Sequence, residues 1–326
     1  MKMHKRIFSF VTVLLGFLGV LTLSGCGGEA ERAATGTASF DITDAPADDV
    51  TQVRLTISAI ALKPNNGELQ RIEFESPVVI DNLLALQGGN FAELLPDQTF
   101  PAGEYNWLRL YIIGGGADSW VMTDEGGQVD LFVPGQQSAN GQSRHVQLVS
   151  GFVIPAGGDV DFTIDVDLRK ALTKPAGKDY YLLRPAMRIT DNSNIGSISG
   201  TVADALVTDD SCNNDLINDE GNAVYLYRGA DAVAGDVYVD DMGAEIGGDN
   251  PLAVANVKQN QGSGFYEYSF GFIPEGAYTV AFTCNALDDM PDADDDLAFA
   301  QSANIEVDAG DNAEYDFEAA PEVALP

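Results

Sequence analysis

The chain has 326 residues, with 50 Asp and Glu against 17 Lys and Arg, for a formal net charge of −33 at pH 7. A surface this acidic cannot hold a phosphate backbone or lie on anionic lipid, which excludes nucleic acid and a membrane-surface helix and favours cations, basic partners or solubility in salt. Apolar residues make up 45% of the chain, enough for ordinary cores and too many for wholesale disorder.

Lys2, Lys5 and Arg6 precede an apolar run from Ile7 to Leu23, which ends in the small residues Ser24 and Gly25. That order marks residues 1–25 as a cleaved secretory signal peptide. The other reading is a single transmembrane helix, but the run is near the lower limit for a span and no second hydrophobic segment follows. Leu23-Ser24-Gly25-Cys26 resembles the lipobox of bacterial lipoproteins. The resemblance implies that Cys26 carries a diacylglyceryl group and becomes the mature N-terminus, so that the membrane is a partner through two lipid signals. Gly27 stands where an Asp is associated with inner-membrane retention, so in a cell with two membranes the outer one is expected. Cleavage removes three of the basic residues and no acidic one, leaving 301 residues with a charge of −36, enough for two domains. Cys212 and Cys284 then face an oxidising compartment, where a pair is more often a disulfide than two free thiols.

Residues 26–37, small and polar, read as a flexible tether. From Ala38 the pattern is strand-like. VTQVRLTISAIAL puts Val53, Leu55, Ile57 and Ile60 or Leu62 inward, with a slip near Ser58–Ala59. PNNGE turns into LQRIEFES. The leucine-rich stretch from Val78 to Phe100 lacks clean alternation and is the one place for a short helical turn. PAGEYNWLRLYI turns at Pro101-Ala102-Gly103 and continues as a strand with Tyr105, Trp107, Leu108 and Leu110, in which Trp107 is expected to be internal. A hairpin is expected around Gly126-Gly127. Two more strands and YYLLRPAMRIT close a domain at 38–192. Seven to nine short strands with regular turns predict an all-β fold, and a β-sandwich is the economical form.

The segments DITDAPADDVTQVRLTISAIAL, VIDNLLALQGGNFAELLPDQTFPAGEYNWLRLYI, DVDFTIDVDLRKAL and YYLLRPAMRIT resemble, in order, the bacterial and archaeal lipoprotein family known as domain of unknown function 4382. The resemblance implies an envelope-associated β-rich domain and brings no established catalytic residue.

Asn192–Asn194 reads as a polar hinge. The second domain, 195–320, opens with GSISGTVADALV, continues through AVYLYRG and FYEYSFGFIPEGAYTVAFTC, and ends in NIEVDAGDNAEYDF; residues 321–326 are a tail. This order resembles the seven-stranded carboxypeptidase-regulatory-like, or prealbumin-like, sandwich, a type that is usually an accessory or spacer. Gly200 is expected to let the first strand bend, and Pro274-Glu275-Gly276 to aim Tyr278 and Val280 at the core. The sequence thus predicts two consecutive β-sandwich domains behind the signal peptide.

His145 is the one histidine after residue 25, which removes Ser-His-Asp and Cys-His catalysis and, without further ligands, tetrahedral zinc. Carboxylates are abundant enough that no pair is informative by itself for glycoside hydrolysis. Asp165 and Asp167 share one strand face, which reads as a solvated face or, with Asp41 or Asp44, as a cation site. Two acidic groups flank the cysteines. Asp209, Asp210, Asp215, Asp219 and Glu220 lie around Cys212, and Asp288, Asp289, Asp292, Asp294, Asp295 and Asp296 lie beyond Cys284; of these, Asp209, Asp210, Asp215, Asp288, Asp292, Asp294 and Asp296 are the candidate metal ligands. A disulfide would draw these groups to one end of the sandwich, where like charges repel unless a hard cation such as Ca²⁺ or plain solvation offsets them. The Asp240–Asp241 pair could join either arrangement. Trp120 is the candidate surface platform for a ligand, whereas Tyr225, Tyr227, Tyr266 and Tyr268 sit at strand spacing and read more readily as core.

The functional expectation is a non-catalytic cell-envelope lipoprotein that binds a polysaccharide or envelope protein, with Ca²⁺ as its one candidate cofactor. The alternatives are a structural spacer or subunit of a surface assembly and a carboxylate-only glycan hydrolase.

Overall fold

The computed structural model describes residues 34–45, 47, 50–136, 138–240 and 244–319. The signal segment, Cys26, Asp241 and the 321–326 tail lie outside the described residues. From Ala34 onward the chain forms one compact unit. No helix among the described residues is long and apolar enough to cross a membrane.

The described residues of the first half form thirteen strands rather than the expected seven to nine. They are β1 (Thr35–Ala45), β2 (Val50–Pro64), β3 (Gln70–Ile80), β4 (Ala92–Pro101), β5 (Gly103–Ile113), β6 (Trp120–Thr123) and β7 (Gln128–Phe132). Then follow β8 (Ser143–Leu148), β9 (Phe152–Ile154), β10 (Asp159–Asp167), β11 (Leu172–Thr173), β12 (Tyr180–Leu183) and β13 (Met187–Asp191). One sheet has the order β13-β10-β1-β4. The other has nine strands, β11-β12-β7-β6-β2-β5-β8 with β3 and β9 attached. The count rises because β2, at 15 residues, serves two neighbourhoods: its start pairs with β6 and its end with β5 and β3. The slip near Ser58 is a β-bulge, since register shifts between Ile57 and Ala59 against both β3 and β5. The helical turn is a 3₁₀ turn at Leu83–Leu86. Between the sheets lies a core in which Phe40 meets Phe100, Phe152 and Phe162.

Trp107 departs from its expected place. Alternation carries Leu108, Leu110 and Ile112 inward and leaves Trp107 half-buried on the other face under the Arg109 guanidinium, 4.1 Å from the ring centre, while a register shift against β2 between Tyr105 and Trp107 lets Tyr105 point inward too.

A 3₁₀ turn at Asn192–Asn194, capped by Asp191, leads to the second half. Its strands are β14 (Ile195–Val202), β15 (Ala223–Arg228), β16 (Ala253–Asn256), β17 (Lys258–Gln259), β18 (Tyr266–Pro274), β19 (Gly276–Thr283), β20 (Gln301–Val307) and β21 (Asn312–Glu314). They form two four-stranded sheets, β17-β18-β14-β21 and β16-β15-β19-β20. The β15–β19 sheet is buried on both faces. Val224, Leu226, Val280 and Phe282 face the inter-sheet core, while Ala223, Tyr225, Tyr227 and Ala281 face a smaller core closed by Val237, Leu297 and Phe299. Of the tyrosines at strand spacing, Tyr225, Tyr227 and Tyr268 are core residues and Tyr266 is half-buried against the inter-sheet core.

The two Pro-X-Gly-X-Tyr turns are built alike. In each, the tyrosine hydroxyl donates back to the proline carbonyl at 2.7 Å, Tyr105 to Pro101 and Tyr278 to Pro274. The intervening Gly103 and Gly276 take φ of 135° and 147°, values that favour glycine. Each tyrosine body is thereby fixed in a core with its hydroxyl satisfied. At Gly200 a Cβ would fall 1.7 Å from the Tyr315 carbonyl oxygen, so close approach of two backbones requires glycine there.

On β1, Asp41 lies opposite Glu93 of β4. Burial first, then Glu93 and Asp161, push its carboxyl up to about 6. Because the folded value lies above the ordinary 3.8, the stabilisation from this proton is full below about pH 4 and is lost as pH rises through 6. NMR titration should find the Asp41 midpoint near 6, and Glu93→Gln should lower it.

Candidate functional site

The disulfide expected from the cysteine count joins Cys212 and Cys284, with Cα atoms 5.1 Å apart and a sequence separation of 72. Closing a loop of that length is worth about 4 kcal/mol by chain entropy. It brings the two acidic segments together, and Asn213 reinforces the join by donating to Asp288 at 2.7 Å. Most of the sequence-selected carboxylates there face solvent: Asp209, Asp210, Asp288, Asp292, Asp294 and Asp296 are exposed, and Asp215 is half-buried. Asp209 accepts from Ser211, and Asp215 from Ile217 and Asn218, so both close their own turns. These hydrogen bonds favour the ionised forms and hold both carboxyls below the ordinary value.

Beneath this surface lies a different set. Asp236, Asp289 and Asp295 bring one carboxylate oxygen each within 4.8 Å of one another, a buried aspartate cluster with the geometry to coordinate a metal ion. The alternation of the 291–300 segment explains the selection: Asp292, Asp294 and Asp296 point out while Asp295, Leu297 and Phe299 point in. Asp289 is held hardest. It accepts from the Tyr225 hydroxyl and from the Val237 amide at 3.1 Å. Burial pushes its carboxyl up, and Arg169, Tyr225 and Val237 oppose that rise.

Arg169 comes from the other sandwich. After β10 the chain makes a four-residue helix, α1 (Leu168–Ala171), whose N-cap Asp167 accepts from the Lys170 amide. The turn presents Arg169 and Lys170, both about 5% exposed, to the second sandwich. Arg169 Nη1 lies 3.8 Å from Asp289 Oδ2, with both side chains buried. Lys170 Nζ donates to Glu245 at 2.8 Å and to the Pro251 carbonyl at 2.7 Å. A cation thus already stands beside the aspartate cluster.

Between the sandwiches lies a cleft of about 830 Å³. Asp44, Asp165 and Arg188 line it from the first sandwich, and Asn256, Glu267 and Tyr268 from the second. A second cleft of about 730 Å³ shares Asp165 and Arg188 and reaches Lys170 and Tyr227. The shared pair is cross-strand, β10 to β13, with Arg188 Nε 2.7 Å from Asp165 Oδ2. Asp165 is therefore buried and paired, not on a solvated face.

At the rim, Phe272 stacks edge-on against Phe91 with ring centres 5.9 Å apart. Phe272 occupies a bulge in β18 and has φ of 55°, unfavourable for a bulky residue. Close by, a Cβ on Gly271 would lie 2.4 Å from Gly89 Cα, so the two sandwiches meet backbone to backbone there.

Trp120 begins β6 and is half-buried, paired with Arg54 and Asp130. His145 is exposed on β8 beside Tyr111. What burial it has, with Arg109, Arg144 and Arg71 around it, lowers its pKa. The sequence reading missed Arg169, Lys170 and Asp236. A hydrophobic pattern around the Arg-Lys pair, DVDLRKAL, was present, but pattern alone does not distinguish a buried charge from a solvated one.

Residues 35–185 match the family model described as Domain of unknown function (DUF4382), so the chain contains that domain in its N-terminal half. No curated protein matches the chain. Among solved structures it is similar to the Bacillus anthracis TIE protein, at 12% identity and a TM-score of 0.18, over 87% of this chain and 34% of that one. The chain thus spans about a third of that protein's length. It is also similar to the minor pilin GBS52 of Streptococcus agalactiae, at 10% identity and a TM-score of 0.19, over 89% and 100% of the two chains. The major pilin subunit BcpA of Bacillus cereus matches at 10% identity and a TM-score of 0.20, over 87% and 70%. Scores this low establish no common topology.

Removing one member of a buried ion pair leaves the other charge uncompensated. Arg169→Ala should therefore cost about 3–5 kcal/mol in urea unfolding, whereas truncating exposed Arg71, paired with Glu73 at the surface, should cost less than about 1 kcal/mol.

Proposed function

We propose that the protein is a non-catalytic structural subunit or spacer of a cell-surface assembly, held on the bilayer through a lipidated Cys26. The observation that carries this reading is the buried-charge junction between the sandwiches. Arg169, Lys170 and their partners give the two halves a fixed relation, which suits a part that transmits position or load more than one that must open around a substrate. The second half, in two four-stranded sheets, serves as a prealbumin-like accessory module.

Neither Asp44 nor Asp165 suits carboxylate hydrolysis: both oxygens of Asp44 are buried and Asp165 is clamped by Arg188, so neither is placed to exchange a proton with a sugar. A second reading, binding of a polysaccharide or protein ligand, is favoured by the polar lining of the cleft, with Gln87, Asn90, Asn256 and Asn260 among its walls. In that reading Ca²⁺ would act on binding through the carboxylates that face the cleft.

In-cell cross-linking followed by purification of the full chain in detergent separates the two. The subunit reading predicts one envelope protein, or a second copy, recovered in fixed proportion, and loss of membrane association in Cys26→Ser. Recovery of the chain alone together with saturable binding to a purified polysaccharide would replace it with the ligand-binding reading.

A further inference from the structure

We propose that Leu216, Ile217 and Phe265 form a docking knob for a neighbouring envelope protein whose surface offers an apolar socket rimmed by Lys and Arg. The inference rests on the subunit reading above and names the end of the chain that carries the contact. All three residues lie at one end of the second sandwich. β14 and β18 pair Ile195 with Pro274 at the connection to the first sandwich, and Val202 with Tyr266 at the other end, where Phe265 precedes β18. β15 and β19 reach that same end at Ala223 and Thr283, next to the Cys212–Cys284 disulfide. The loop that bears Leu216 and Ile217 meets the β17–β18 hairpin through Asp219, whose carboxylate accepts from the Gln259 amide at 3.2 Å. Beside Gln259, the Asn260 amide donates to the Phe265 carbonyl at 2.8 Å.

The loop is fixed, and it is fixed with its apolar side chains outward. Asp215 and Glu220 exchange backbone hydrogen bonds at 2.9 and 3.0 Å. The Asp215 carboxylate accepts from the Ile217 amide and from the Asn218 side chain, both at 2.9 Å. Gly221 closes the loop at φ of 84°, where a Cβ would fall 2.6 Å from the Asn213 carbonyl oxygen. At the tip Ile217 is 92% exposed, Leu216 40% and Phe265 61%. Single exposed apolar residues are ordinary, but three on joined loops at one end mark a contact surface. A loop already held in shape loses little conformational freedom on binding, so more of the gain from burying these side chains is kept.

Charge defines the partner. Between Arg188 and Arg228 the chain has no basic residue, and Asp209, Asp210 and Asp288 stand exposed around the disulfide. Lys258, on β17, reaches away to the Gln87 side chain at 3.3 Å. An apolar centre inside an acidic rim is matched by an apolar socket with a basic rim. A second copy, with the same formal charge of −33, would bring a net acidic surface against this one, and an anionic bilayer would repel it.

The test is photo-cross-linking in cells, with a benzophenone side chain at position 217 of the full chain and, in parallel, at exposed Val153 of the first sandwich. Position 217 should join one envelope protein, at a peptide with Lys or Arg beside apolar residues, and position 153 should not. The purified full chain in detergent should bind that protein, with Ile217→Asp weakening the binding at least about tenfold and Ile217→Leu retaining it. Because Ile217 is exposed, Ile217→Asp should keep the parent's melting temperature, which checks that it folds. Cross-linking of position 217 to a second copy or to lipid, a joined peptide without basic residues, or binding untouched by Ile217→Asp would overturn the proposal. A partner joined only through position 153 would overturn it and leave the subunit reading standing, whereas no partner at either position or by chemical cross-linking would overturn both.

Discussion

The structure depends most on one buried charge pair, Arg169 with Asp289, because each partner is supplied by a different sandwich and neither can be left in place without the other. Desolvating a guanidinium and a carboxylate costs several kcal/mol each, recovered only if their geometry is held. The holding is local on both sides. Asp167 caps the short helix that aims Arg169, and Tyr225 with the Val237 amide fixes Asp289. A pair of this kind adds little net stability over apolar packing, but it allows few relative positions of the two halves.

The second sandwich is shaped around that requirement. A four-stranded sheet with one solvated face would give Asp289 no buried site. Here the loop between β15 and β16 and the segment after β19 fold over the outer face of β15, burying Tyr225 and Tyr227 and creating the small core under which Asp289 and Asp236 sit. The disulfide between Cys212 and Cys284 anchors the segment that carries Asp289, five residues beyond Cys284. The acidity of this end is therefore divided: an outer layer of exposed carboxylates is solvated and turn-closing, and an inner layer is structural.

Much of the strand pattern could be read from the sequence because alternation reports burial on sheets with one wet face. Val53, Leu55, Ile57, Ile60 and Leu62 are all buried, the bulge falls at Ser58–Ala59, and the leucine-rich segment contains its helical turn. Reading failed where burial came from another element. Arg169 and Lys170 look like a polar pair ending a strand, and nothing in their neighbours announces that a second sandwich covers them. Asp289 is distinguished from exposed Asp288 only by which of the two faces inward after a 3₁₀ turn. Trp107 was misplaced by carrying the alternation on from Tyr105, because a register shift between the two residues reverses the parity and leaves Trp107 opposite Leu108 and Leu110. Asp44 reads as a turn residue in DITDAP, and its burial is a property of the packed fold.

The central claim is that the two sandwiches behave as one unit, and differential scanning calorimetry of the chain from Ala34 onward tests it most directly. The account predicts a single transition whose calorimetric and van't Hoff enthalpies agree. Two separable transitions, each with the enthalpy of one half, would contradict it, because a junction that leaves each half to melt alone does not fix their relation.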